Sequence, residues 1–228
     1  MVFCYSFINF CMSPASILSG IIERRVFPMS EQTIKNMKKE IYLLIHKAQE
    51  MLELTEDGFM KNKLASLDQA DEIAKEIHVK EDVLTAALAK MASTSSEARS
   101  LLTVPSHIEK TATSIKRITE NSRLRIKEGM LFSDKAINET GKLFTKTKEV
   151  LKKAGEAEVT GAQSALETAR ADADAMERMA NEFSTTHEDR LVTGECSPKS
   201  SSTYLCILYA IEDIGGHIKN AVERFSAK

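Results

Sequence analysis

From Ile34 to Val222, apolar residues recur at steps of three and four, with few breakers between them. That spacing lines apolar side chains along one face of a helix. The 228 residues include only 9 Gly and 4 Pro, and aromatics make up 6%. Ala, Leu, Ile, Met, Lys and Glu dominate, a composition that suits helices better than sheets with frequent turns. Each amphipathic helix must bury its face against another, so such a chain is confined to helical bundles.

The pattern divides into six long helices. Ser30 reads as an N-cap with Glu31 in the first turn, and the stripe Ile34, Met37, Ile41, Leu44, Ala48 and Leu52 runs to a stop near Gly58. A second helix runs from about Asn62 to Met91 with an acidic outer side. Thr94-Ser95-Ser96-Glu97 fits a capping box with Thr94 as the cap, and it opens a third helix to about Lys127. Pro105 should kink or split that helix near Leu101–Leu102. Glu128-Gly129 breaks the chain. Ser133-Asp134 caps a fourth, basic-faced helix that Gly155 is expected to stop. The fifth spans roughly Glu158 to Leu191. Ser197, with Pro198 at the first helical position, opens the sixth.

The sixth helix carries a signature found once before. Ile211-Glu212 and Ile218-Lys219 repeat Ile108-Glu109 and Ile115-Lys116 at a separation of 103 residues (212 − 109). A spacing that long implies a duplicated domain-sized unit, not a solenoid. The expected fold is all-α, as two repeated antiparallel three-helix bundles, residues 29–128 and 129–228. Glu212, Gly216 and Lys219 share a stripe beside the apolar face, so any chemistry of this helix should lie there. The Gly215-Gly216 pair suits close approach between helices, at a cost in helix propensity.

Residues 1–28 stand apart. No charge occurs before Glu23, and the stretch is long enough for a bilayer but interrupted by Ser, Asn, Pro and Gly. Three readings are open: a stretch upstream of a true start at Met29, the remnant of a preceding membrane segment, or a weak membrane anchor.

Several function classes lose support. Net charge is −2 with both signs mixed, and no basic stripe with aromatics offers itself to nucleic acid. Cys4, Cys11, Cys196 and Cys206 match neither zinc-site spacing nor a disulfide framework. Gly215-Gly216 lacks the Lys-Ser/Thr of a phosphate loop, and no Ser/His/Asp order or paired carboxylate emerges, so the chain is read as a non-enzyme.

His187-Glu188-Asp189-Arg190-Leu191, Gly194-Glu195-Cys196-Ser197, Tyr204-Leu205 with Ile207-Leu208, and Ile211-Glu212-Asp213-Ile214-Gly215-Gly216-His217 follow in an order and spacing that resemble the PhoU family. The resemblance is closer to the PhoU-like cytoplasmic domain that follows the membrane part of bacterial sodium/phosphate cotransporters. It covers about Pro28 to Phe225, and Ile108-Glu109 to Ile115 matches the same motif in the first repeat. It implies a regulator of phosphate transport: a helical adaptor, cytoplasmic and peripheral to the inner face of the membrane. Its implied partners are a phosphate transporter and a sensor kinase, with self-association into a homodimer. It also implies iron or another divalent metal on E-x-x-x-D pairs, since carboxylates at i and i+4 project from one helix face.

The metal candidates are Glu109, Glu212 and His217. Thr113 and Gly216 stand where the family has Asp, and Ser114 stands at the upstream counterpart of His217. On the partner helices, Glu81 is followed at i+4 by Thr85, and Glu177 by Asn181. Two other readings remain beside the regulator: a metal-binding carboxylate bundle for iron or zinc, and a generic helical interaction module. In the blander reading, Glu109 and Glu212 are helix-face carboxylates paired to nearby Lys.

Overall fold

The computed structural model describes residues 34–225; the expected N-cap at Ser30 and the readings of residues 1–28 lie outside them. Seven helices and no strands make up the described residues. They are α1 Ile34–Lys61, α2 Leu64–Met91, α3 Ser96–Leu101, α4 Val104–Lys127, α5 Asp134–Thr160, α6 Gln163–Val192 and α7 Pro198–Phe225. The expected third helix is split into α3 and α4. Pro105 sits in the first turn of α4, where its missing N–H would have had no intrahelical partner.

Two boundaries depart from the sequence reading. The cap of α3 is Ser95, not Thr94: its hydroxyl accepts from the Ala98 amide at 3.1 Å, while the Thr94 hydroxyl donates back to the Met91 carbonyl. This shift leaves Glu97 at the second helical position, so no reciprocal box forms. Gly155 does not stop α5. The helix continues to Thr160 and ends at Gly161, whose φ of 59° is left-handed. Gly155 is helical and buried, with the Tyr42 and Ile45 side chains of α1 against it.

α1, α2 and α4 pack on one another, as do α5, α6 and α7; the two sets join through α1 on α5 and α4 on α7. Contacts along each pair fix direction. Arg123 of α4 reaches Asp68 and Asp71 of α2, whereas Glu109, nearer the start of α4, meets His78, so α2 and α4 are antiparallel. Arg125 near the end of α4 donates to the Phe59 carbonyl at 2.5 Å and to Asn62 Oδ1 at 2.6 Å. That contact closes the C-terminus of α1, where Asn62 is left-handed at φ 54°. The core follows the apolar stripes: Met37, Ile41, Leu44, Ala48 and Leu52 of α1 are fully buried, as are Ile108 and Ile115 of α4 and Ile211 of α7. Burial of a side chain this size contributes about 1.5–3 kcal/mol. None of the described helices is long and apolar enough to cross a membrane.

Candidate functional site

The two carboxylates singled out in the sequence occupy equivalent places. Glu109 of α4 lies 3.8 Å from His78 Nδ1 of α2, and Glu212 of α7 accepts from Asn181 Nδ2 of α6 at 3.1 Å. His78 and Asn181 are themselves 103 residues apart (181 − 78), so the repeat extends across the helix pair and is not confined to one motif. Glu109 also accepts from the Thr113 hydroxyl, one turn on, at 3.2 Å. Among the described residues neither carboxylate is paired to a lysine, the partner that the blander reading expects. Glu81 is turned inward on its own helix and accepts from Thr85 at 2.8 Å.

His217 belongs to the α4–α7 seam. Burial pushes it below the ordinary histidine range, and nearby Asp213 partly opposes this. His107 across the seam is lowered in the same way, chiefly by burial, with Lys110 and His217 adding to it. Both rings are therefore predominantly neutral at pH 7.

A metal cluster does not fit this donor set. Glu109 and Glu212 are spent on separate neighbours. Among the described residues no group of three or more His, Cys, Asp or Glu side chains is placed to hold a metal ion.

What fills the second half is a lysine. Lys219 Nζ donates to Glu177 Oε2 at 2.6 Å and to Asp174 Oδ1 at 3.0 Å, both on α6. Those carboxylates hold the ammonium above the usual lysine range. The glycine pair explains how Glu177 gets there. A Cβ on Gly215 would lie 2.7 Å from Glu177 Cγ and 2.8 Å from its Oε1. Gly215 thus makes room for a side chain from α6, not for a neighbouring backbone.

The first half carries a different set at the same register. Ala74 stands in place of Glu177, Ala112 in place of Gly215, and Lys116 in place of Lys219. Asp71, the counterpart of Asp174, is bound by Arg123 at 2.7 Å. The result is an open groove of about 610 Å³, lined by Asp71, Glu72, Lys75, His78, Glu109 and Lys116 among others. A second groove between α1 and α2 exposes Leu43, Val79 and Val83. Its flanking charges are paired with one another, Lys47 with Glu76, Lys80 with Glu40 and Lys75 with Glu72.

One cluster was only half legible in the sequence. His187, Arg190 and Tyr204 belong to the signature blocks, but Glu139 of α5, which Arg190 and Tyr204 bind, lies in none of them. Glu139 is 6% exposed and its Oε2 accepts from the Tyr204 hydroxyl at 2.6 Å and from Arg190 Nη2 at 2.7 Å. Burial, reinforced by the neighbouring Glu139 carboxylate, pushes the Tyr204 phenol well above its ordinary range. The His187 ring packs tilted against Tyr204 with ring centroids 4.6 Å apart, and Cys196 Sγ lies 3.9 Å from its Nδ1. The cluster ties α5, α6 and α7 together through a paired buried charge. For Glu139 itself the sequence offers its place three residues from Ala136 and four from Leu143, on the buried side of α5.

No family model matches the sequence, and no curated protein matches it. Solved structures do match its fold. The phosphate transport system regulatory protein PhoU from Streptococcus pneumoniae superposes with a TM-score of 0.75 at 13% identity, over 84% of this chain and 92% of that one. PhoU from Pseudomonas aeruginosa gives 0.72 at 12% identity, over 84% and 94%. The chain has the PhoU fold.

Proposed function

We propose that this chain, whose fold covers 92% and 94% of the two solved PhoU structures, is a non-enzymatic regulator of phosphate transport. It acts as a helical adaptor at the cytoplasmic face of a phosphate transporter. The observation that carries this reading is the match over at least nine-tenths of each of two structures bearing that role or name, with the whole bundle aligned and not one helical hairpin. The surface supports it as well. The groove between α1 and α2 and that between α2 and α4 are both open and edged by charges of both signs, as suits binding by contact.

The test is recovery from membranes. Tagged protein, crosslinked in its own host under phosphate limitation and under phosphate excess, is purified and its companions are identified. Enrichment of a phosphate transporter subunit, with altered phosphate uptake on deletion of the chain, is the expected result. Recovery without any transporter subunit, together with unchanged uptake, overturns the proposal.

A further inference from the structure

The second half contains an acidic pair with a cation already in it. Asp174 and Glu177 project from α6 toward α7. Lys219 reaches across from α7 and donates to both. The geometry of the surroundings is built around that contact. Gly215 lacks the Cβ that would collide with Glu177, and the position next to it, Gly216, lies within reach of the same carboxylate. A Cβ there would stand 3.8 Å from Glu177 Oε1. An acid at 216 would bring a third carboxylate to the group. Glycine keeps the count at two, which one ammonium and its three N–H donors can satisfy.

We infer that Lys219 is a tethered counter-cation that takes the place a divalent ion would occupy between α6 and α7, so that this half holds its acidic pair without metal. The first half supplies the contrast. There Ala74 removes the acid that corresponds to Glu177, Arg123 of α4 pairs with Asp71, and Lys116 makes no ion pair among the described residues. The lysine is thus drawn in only where two acids require it. An ammonium and a divalent cation compete for the same oxygens, and a hard divalent ion needs more of them than two carboxylates offer.

The experiment compares Gly216→Asp, Lys219→Met and the double variant by titration with Mn²⁺ after treatment with a chelator, folding being checked by circular dichroism. The double variant, with three acids and no ammonium, should bind about one Mn²⁺, at least about tenfold more tightly than Gly216→Asp alone. Adding Glu177→Gln to it should abolish that binding. Equal affinity in Gly216→Asp and the double variant would show that Lys219 does not occupy the site, and overturns the inference. So does a folded double variant that takes up no Mn²⁺. An independent readout covers misfolding of the double variant. In chelator, Lys219→Arg should melt within a few degrees of the wild type, and Lys219→Met should melt measurably lower. Equal melting of Lys219→Met and wild type overturns the assignment, as does a wild-type protein that the chelator itself destabilises.

Discussion

At the scale of single residues, the most consequential side chain outside the repeat signature is Glu158 of α5. It is 3% exposed, its Oε1 has no hydrogen-bond partner, and burial pushes it from 4.5 up to about 7, with Glu97 adding to the rise and Lys38 opposing it. Between those two pH values the folded protein keeps a proton that the unfolded chain has lost. Stability therefore falls as pH rises through this window, by about 3 kcal/mol at most, and is flat above it. Glu158→Gln should remove most of that slope and make the protein more stable than wild type at pH 8, by about 1–3 kcal/mol. Urea denaturation at pH 5 and pH 8 reads both effects; an unchanged slope in the variant would locate the titrating group elsewhere. Neither Glu158 nor Glu139 stands out in the sequence, for one physical reason. A glutamate in an amphipathic helix reads as solvated unless its partner is known, and the partners of Glu139 lie 51 and 65 residues further on. By contrast His187 and Arg190 were legible as a block, though not as the two α6 sides of a buried lock.

At the scale of elements, the helices were legible nearly throughout, because apolar spacing and burial obey the same geometry. The errors are confined to ends. Thr94 and Ser95 are chemically alike as caps, and only the backbone decides which hydroxyl faces the free amides. Gly155 and Gly161 lie six residues apart, the first buried against α1 and the second exposed, and only the second takes a left-handed φ. The difference is measurable. Gly161→Ala forces a side chain into that conformation and should cost about 1 kcal/mol. Gly155→Ala places a Cβ 3.3 Å from Tyr42 Cε2, but Tyr42 is 37% exposed and its ring can shift. The gain in helix propensity, about 1 kcal/mol, offsets that adjustment. Melting should thus drop by about 2–4 °C for Gly161→Ala and stay level or rise for Gly155→Ala. A lower melting temperature for the Gly155 variant than for the Gly161 variant would contradict this ordering.

At the scale of the whole molecule, the halves depend on each other more than their shared signature suggests. α1 and α4 of the first half bury surface on α5 and α7 of the second, and Arg117 pairs with Asp213 across the seam. A fragment of residues 29–128 should therefore melt about 10 °C or more below the full chain, over a broader range, because its core is smaller and one side of it is uncovered. A fragment that melts sharply at the full-length temperature would make the halves independent domains. The duplication itself could be read from the sequence, since Glu109 and Glu212 keep their register; the divergence between copies could not, since it lives in contacts between helices. That divergence has a consequence for recognition. At equivalent positions the first half has a groove edged by Lys116, and the second has Glu177 bound to Lys219. A ligand approaching a true twin would find two equal berths and two orientations. Here the two equivalent sites differ, so a ligand that distinguishes them meets this molecule in one orientation and not in two.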